Sequence, residues 1–371
     1  MRTCWISASL VVFPLLASYR VSSLALDTSG ARRQTRARPG QYCQTTSKLM
    51  SHKESKLCED SQKQRICVLT DDDALIATAR TLAGRLSIPY VHEVASADVD
   101  RFHHALVVVR YAAGTTEGTA VGVQSLGGDS SDKKNRIRRN APLATPFFVD
   151  FCPPEGSKLD RRTKGKSGSD LLVKAVAPGK IRSSNRNGAV VYDLTAGFGQ
   201  DSLILAQNGA SHVHMIERDP IVAALLQDAL DRLKLISQSD DSRQDTASDL
   251  LNRLSLQVGE AAEAVKNSPL DIPPPDCMYL DPMFAPRTKS SAVKKNMQIL
   301  HGLLNSQEID ETDVSIREMH LLEVAIEAAA CRVVVKRPIQ ALPLGGTTNS
   351  SIRKPSHEIK GSVNRWDVYV K

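Results

Sequence analysis

The sequence predicts an α/β fold built on a mostly parallel, seven-stranded sheet. Three observations carry that prediction. From Val190 onward, apolar runs of strand length alternate with segments of helical period. The first run, Val190-Val191-Tyr192-Asp193, breaks at a glycine turn, Thr195-Ala196-Gly197-Phe198-Gly199-Gln200-Asp201, that opens a helix. The last stretch, about Glu358 to Lys371, reads as a terminal hairpin around Gly361.

In chain order, residues 1–60 read as a targeting leader outside the fold. Arg2 precedes an apolar run from Cys4 to Tyr19 that is short for a membrane span. Arg32-Arg33-Gln34-Thr35-Arg36-Ala37-Arg38 follows, and Asp27 is the only acid before residue 50. That pattern fits import into an organelle, plastid or mitochondrion, with no membrane segment in the mature form; plain secretion is the runner-up, disfavoured by the cysteine usage. Residues 61–111 read as a small α/β subdomain. Its strands are Arg65–Thr70 and Ala105–Val109, and its helix, Asp73 to Leu86, carries Leu75, Ala79, Leu82 and Leu86 at helical spacing. Residues 112–145 are rich in Gly, Ser, Thr and charge and read as a flexible insertion. Residues 146–371 form the main domain.

Within that domain Phe147–Phe151 has strand character, and the basic run Arg161–Lys166 stands just before the central strand, near the mouth of a site. Ser202 to Asn208 is helical. His212–Ile216 is the second strand, closed by Glu217. Asp219-Pro220 starts a helix as N-cap and first-turn proline. Ser237 to Asp249 reads as a loop, and Leu254–Val258 as the third strand. Asp276–Leu280 is the fourth strand and runs into Asp281-Pro282-Met283-Phe284. Helices are expected around Val293–Leu304 and over Glu318–Ala330. Arg332–Val335 is the fifth strand and ends in Lys336-Arg337-Pro338.

An apolar fraction of 41% suffices for a core of this size, and a net charge of +7 suggests an anionic partner, nucleic acid ahead of membrane. The seven cysteines form no Cys-x-x-Cys and no Cys/His cluster, which argues against a structural metal and against a disulfide framework.

In open parallel sheets ligands bind at the carboxyl ends of the strands, and four features collect there. They are the glycine turn, with Asp201 in the first turn of its helix; Glu217, about twenty residues on, at the spacing of an acid that accepts ribose hydroxyls; Gly259-Glu260-Ala261, placed to flank an adenine; and Asp281-Pro282-Met283-Phe284. A dehydrogenase shares this layout, but Ser202 stands where the third glycine of its pyrophosphate fingerprint belongs. The fourth feature looks like a variant of the Asp/Asn-Pro-Pro-aromatic loop of enzymes that methylate planar amino groups. Asp281 and the Pro282 carbonyl would accept the amine N–H groups, and Phe284 would stack on the base. Arg287, Lys289, Lys294, Lys295, Lys336 and Arg337 follow strand ends on the same edge and are candidate phosphate contacts.

With those residues in hand, the chain resembles the bacterial RsmJ family, which methylates the exocyclic N2 amine of a guanine in small-subunit (16S) ribosomal RNA. The matching segments are Phe148–Phe151, Asp193 to Asp201, Ile216–Leu226, Tyr279–Phe284, Lys289–Lys295 and Arg332–Pro338. The resemblance implies a class I S-adenosylmethionine-dependent methyltransferase, a Rossmann-like fold whose sheet closes with an antiparallel hairpin. It implies cofactor contacts at Gln200-Asp201, Glu217-Arg218, Glu260-Ala261 and Asp281, beside Asp193, Thr195, Gly197 and Gly199 of the turn. Asp281, Pro282 and Phe284 would be catalytic, and Lys294, Lys295, Lys336 and Arg337 would bind substrate. The partner would be small-subunit ribosomal RNA or the small subunit itself, without a metal. Gln200 and Glu260-Ala261 depart from the family pattern, and the leader and insertion suggest a eukaryotic, organelle-directed version. A DNA or protein amine methyltransferase of the same fold, or a non-catalytic nucleotide-binding module, are the alternatives.

Overall fold

A computed structural model describes residues 66–92, 102–126, 145–153, 155–164, 170–176, 188–208, 210–267, 274–282, 303, 311–344 and 353–371. The expected large sheet is present, ordered β7-β6-β5-β8-β9-β11-β10. Its strands are β5 (Ala189–Asp193), β6 (Ala210–Glu217), β7 (Leu254–Val258), β8 (Cys277–Leu280), β9 (Arg332–Pro338), β10 (His357–Lys360) and β11 (Asn364–Val370). Neighbours from β7 to β9 pair in parallel, and β11 runs antiparallel to both β9 and β10. The strand order reverses between β5 and β8, so their carboxyl ends open a crevice at the switch point.

Period-two alternation divides the core into two layers. Val191, Val213, Cys277, Tyr279 and Val334 face one layer, shared with α4 (Gln200–Gln207) and α5 (Pro220–Ser237). Val190, Tyr192, Ile216, Met278, Leu280, Val333 and Val335 face the other, shared with α7 (Ala261–Lys266) and α8 (Glu311–Ala328). Strands buried on both faces need near-continuous apolar sequence, which is what Ala189–Asp193 and Cys277–Leu280 supply. Helix α5 starts as the sequence indicates: Asp219 caps the Ile221 and Val222 amides at 2.9 Å, with Pro220 in the first turn.

The amino-terminal segment forms a four-stranded sheet, β2-β1-β3-β4, with β1 (Ile66–Leu69), β2 (Tyr90–Val91), β3 (His104–Ala113) and β4 (Thr116–Ser125), and α1 (Ile76–Leu86) packs on β1. Strand β4 corrects the reading of this stretch as flexible. Ten residues of it pair with β3, and Val121 N–H donates to Asp228 Oδ1 of α5 at 2.8 Å. Its glycines disguise it as a loop, yet Gly122 is where the Phe148 ring lies so close that a Cβ would meet it at 2.8 Å. The rest of the insertion, 127–144, lies outside the described residues.

Two further readings change. Among the described residues Phe147–Phe151 makes one bridge, Val123 to Phe147, and otherwise packs Val149 and Phe151 into the core. The loop expected over Ser237–Asp249 contains most of α6 (Gln244–Arg253), a polar helix held by two buried side chains, Ala247 and Leu250. The helix expected around Val293–Leu304 lies outside the described residues, apart from Leu303. Among the described residues no helix is long and apolar enough to cross a membrane.

Candidate active site

The glycine turn is shaped by two left-handed residues, Gly197 (φ +52°) and Gly199 (φ +67°). Side chains rarely adopt that backbone, which is why the turn needs glycine at both positions. Asp193, at the end of β5, is buried and accepts the Thr195 amide at 3.2 Å and the Ser202 hydroxyl at 2.5 Å. Burial pushes its carboxyl up to about 7 against those two bonds.

Glu217, at the end of β6, accepts Gly197 N–H at 2.8 Å and Asp219 N–H at 2.9 Å. The acid therefore braces the turn and caps the approach to α5. Burial raises its carboxyl while the two amides oppose the rise. Its own carbonyl accepts Gly259 N–H at 2.9 Å, which draws the third turn toward the second. Arg218 Nη1 then lies 3.9 Å from Glu260 Oε1, an exposed pair worth at most about 1 kcal/mol.

Asp281, one residue past β8, donates its amide to Thr195 Oγ1 at 2.7 Å. The end of β8 and the glycine turn are thereby fastened together. Lys336 Nζ lies 2.6 Å from Asp281 Oδ2 and 2.8 Å from Asp201 Oδ2. Tyr279 donates its hydroxyl to the same Asp201 oxygen at 2.7 Å, and Arg162 of α2 (Lys158–Thr163) reaches Asp201 Oδ1 at 3.4 Å. Lys336 is the larger of the charge effects that hold the Asp201 carboxyl below the ordinary range against burial. Burial and the neighbouring Asp201 outweigh Lys336 at Asp281, whose carboxyl is raised.

The structure thus brings Asp193, Thr195, Gly197, Gly199, Asp201, Glu217, Arg218, Glu260 and Asp281 to one rim. Gln200 is there too, exposed at the first position of α4. Ala261 turns its methyl into the core as the first residue of α7. Pro282 is buried beside Asp281. Met283, Phe284, Arg287, Lys289, Lys294 and Lys295 lie outside the described residues. Lys336, expected as a phosphate contact, has its ammonium held by two carboxylates, those of Asp201 and Asp281. Arg337 donates from Nε to the Leu342 carbonyl at 3.0 Å and lies beside Glu318 of α8, whose carboxyl burial pushes up to about 7. Sequence reasoning misses Tyr279 and Arg162 as site residues. Tyr279 is findable, since period two puts it on the face that Asp281 continues. Arg162 belongs to the basic run placed at the site mouth; it pairs with Asp170 at 2.8 Å, and the contact that ties it to this site, Asp201, lies 39 residues away. Among the described residues no cluster of three or more His, Cys, Asp or Glu is arranged to hold a metal ion.

Comparison with known proteins agrees with this geometry. The family profile described as SAM-dependent methyltransferase matches residues 131–371. The ribosomal RNA small subunit methyltransferase J of Thioalkalivibrio sulfidiphilus is 38% identical over 227 residues, 61% of this chain and 76% of that protein. The protein of that name from Ectopseudomonas mendocina is 32% identical over 282 residues, 74% of this chain and 93% of its own length. The crystal structure of the SAM-dependent methyltransferase NGO1261 from Neisseria gonorrhoeae superposes with a TM-score of 0.50 at 27% identity, covering 82% of this chain and 95% of that one.

The donor set fits S-adenosylmethionine. Four carboxyl groups (Asp193, Asp201, Glu217 and Asp281) meet two close cations, Lys336 and Arg162, so the rim suits a ligand with a sulfonium and an ammonium. Glu217 keeps lone pairs for ribose hydroxyls beyond the two amides it accepts. The third-glycine position is spent otherwise: the Ser202 hydroxyl bonds Asp193, where the dinucleotide fingerprint has a glycine for close helix–strand packing.

Proposed function

The chain belongs to the ribosomal RNA small subunit methyltransferase J family of S-adenosylmethionine-dependent methyltransferases, and on that premise we propose that it methylates the exocyclic N2 amine of a guanine in small-subunit ribosomal RNA. The observation that carries the reading is the 2.7 Å bond from Asp281 N–H to Thr195 Oγ1. It makes the amine acceptor and the cofactor turn one rigid unit, so donor and acceptor are held at a fixed spacing.

The amine of guanine has its lone pair delocalised into the ring. The Asp281 carboxylate and the Pro282 carbonyl accept its N–H groups and so favour the localised pair. Bound S-adenosylmethionine supplies an electrophilic methyl group on a sulfonium. As the amine nitrogen takes the methyl, the S–C bond would break to leave a neutral thioether and the nitrogen would gain positive charge, which Asp281 stabilises before a proton leaves to the carboxylate or to water. Phe284 is the proposed stacking face. A base paired within a helix cannot enter such a crevice, so the target is a loop or splayed-out nucleotide. Lys294 and Lys295 are the proposed phosphate contacts. Replacing both with Ala is expected to weaken RNA binding and flatten its salt dependence, and an unchanged salt slope would remove them from that role.

The test uses purified protein and methyl-labelled S-adenosylmethionine with ribosomal RNA, small subunits or DNA. Label is expected in small-subunit RNA, at guanine N2 after nuclease digestion and mass spectrometry. Asp281→Ala is expected to lower kcat by roughly 10²–10³-fold, the scale of losing one oriented acceptor. Label confined to DNA, or undiminished transfer by Asp281→Ala, overturns the reading. The acid-poor, basic first fifty residues support an organellar address. A fluorescent fusion of the full chain that stays in the cytosol would refute that part.

A further inference from the structure

At this rim Lys336 is the ammonium held between two carboxylates. The register of β8 and β9 puts it there: Leu280 pairs with Val335 in parallel, so Asp281 and Lys336 are each one step past that pair. Alternation then sends both side chains to the face that carries Tyr279 and Val334, which is also the face of α4 and its Asp201. The ammonium has three protons, and carboxylate oxygens at 2.6 Å and 2.8 Å take two of them. Its side chain is only 19% exposed, whereas that of Asp281 is 37% exposed. The bond to Lys336 falls on Oδ2, and no described residue bonds the other oxygen.

We propose that Lys336 is a positioning residue for methyl transfer, holding one oxygen of Asp281 so that the group stays ionised and its other oxygen is turned toward the substrate amine. The inference rests on the amine-methyltransferase reading of this site and adds a residue to it. Other groups around Asp281 work against ionisation. Asp201 on α4 sets a like charge beside it and Asp193 at the end of β5 is a further carboxyl nearby, while the Tyr279 hydroxyl on β8 donates to Asp201 and Arg162 on α2 pairs with Asp201 and Asp170. Lys336 is the one cation in direct contact with Asp281 among the described residues. Without it the carboxyl would be protonated nearer neutral pH and would present a donor where the amine needs an acceptor. The same ammonium ties Asp201 at the start of α4 to Asp281 past β8, so the acceptor's position follows that of the cofactor turn.

Two measurements on the full chain test this with Lys336→Met and Lys336→Arg. Carbon-13 NMR of Asp carboxyls, with Asp281 assigned by its loss in D281N, needs neither RNA nor cofactor. Asp281 is expected to titrate at least about one pH unit higher in Lys336→Met and to return toward wild type in Lys336→Arg. In turnover, Lys336→Met is expected to lower kcat by about 10–100-fold, to leave KM for RNA within about threefold, and to move the acid limb of the kcat profile upward with the NMR titration. An unmoved Asp281 titration refutes the proposal. So does a raised KM for RNA with kcat intact, which would make Lys336 a phosphate contact. Should Lys336→Met fail to fold, Lys336→Gln, which keeps a donor without charge, carries the same readouts and the same expected shift. A wild-type enzyme that methylates DNA instead of RNA would defeat the substrate reading and leave the NMR result standing on its own.

Discussion

Replacing Gly199 with alanine tests how the glycine turn couples folding to cofactor binding. Gly199 is the N-cap of α4, with φ +67° and ψ +12°, and its carbonyl accepts Leu203 N–H at 2.9 Å. An alanine there costs about 1–2 kcal/mol in left-handed backbone. Its Cβ would also lie 2.9 Å from Leu226 Cδ2 and 2.9 Å from Phe151 Cε1. Leu226 is fully buried and Phe151 is 2% exposed, so neither has space to retreat, and overpacking of this kind costs about 1–3 kcal/mol. The sum is about 2–5 kcal/mol. At about 2 °C per kcal/mol for a large domain, that lowers Tm by about 4–10 °C. The backbone shift propagates to Gly197, whose amide Glu217 holds, so affinity for S-adenosylmethionine should fall as well. Differential scanning fluorimetry with and without cofactor reads both effects. A Gly199→Ala variant that melts within about 1 °C of wild type, with the same cofactor-induced shift, would refute the claim that this turn needs glycine.

Two further outcomes follow from buried charge. Asp228 and Arg232 of α5 pair at 2.8 Å while Asp228 also accepts Val121 N–H and Arg232 donates to the Val149 carbonyl, so the pair fastens β4 and the Val149 segment to the large domain. Asp228→Ala leaves a buried guanidinium and should cost about 3–5 kcal/mol in urea unfolding, with Asp228→Leu/Arg232→Met costing clearly less; equal losses would show that the pairing itself is not what matters. Asp193 supplies a pH dependence. Its folded carboxyl, at about 7, lies above the 3.8 of an unperturbed carboxyl, so between those values the folded state binds more protons than the unfolded one. This contribution is fully present below about pH 4, is lost as pH rises toward 7 and is flat above. Asp193→Asn should therefore gain stability relative to wild type from about pH 4.5 to about 7.5 in urea melts, and a constant difference across that range would contradict the assignment.

The turns that end the central strands were legible because their determinants are local. Val190 to Asp201 carries its own strand, its two positive-φ glycines and its helix start. Asp219-Pro220 and Asp281-Pro282 likewise declare an element boundary within a few residues. Strand β4 and helix α6 were not legible, for a shared reason. Glycines at 118 and 122 and polar residues over 244–253 look like loop until Leu235, Phe148 and the core supply the surfaces they fit. Tertiary override of local propensity is what such segments illustrate.

Residue types and order, read alone, were enough to predict the alternating sheet, a glycine turn at the central strand's end and an acid at the fourth strand's end, since each depends on chain neighbours. Which charges meet was decided by the folded register. Lys336 and Asp281 are 55 residues apart, and Lys336 and Asp201 are 135 apart. Only the parallel pairing of β8 with β9, with α4 laid across their shared face, makes one ammonium serve both carboxylates. Sequence patterning says on which face a side chain lies, and it is silent about the partner waiting there, because that distance is set by strand order in space.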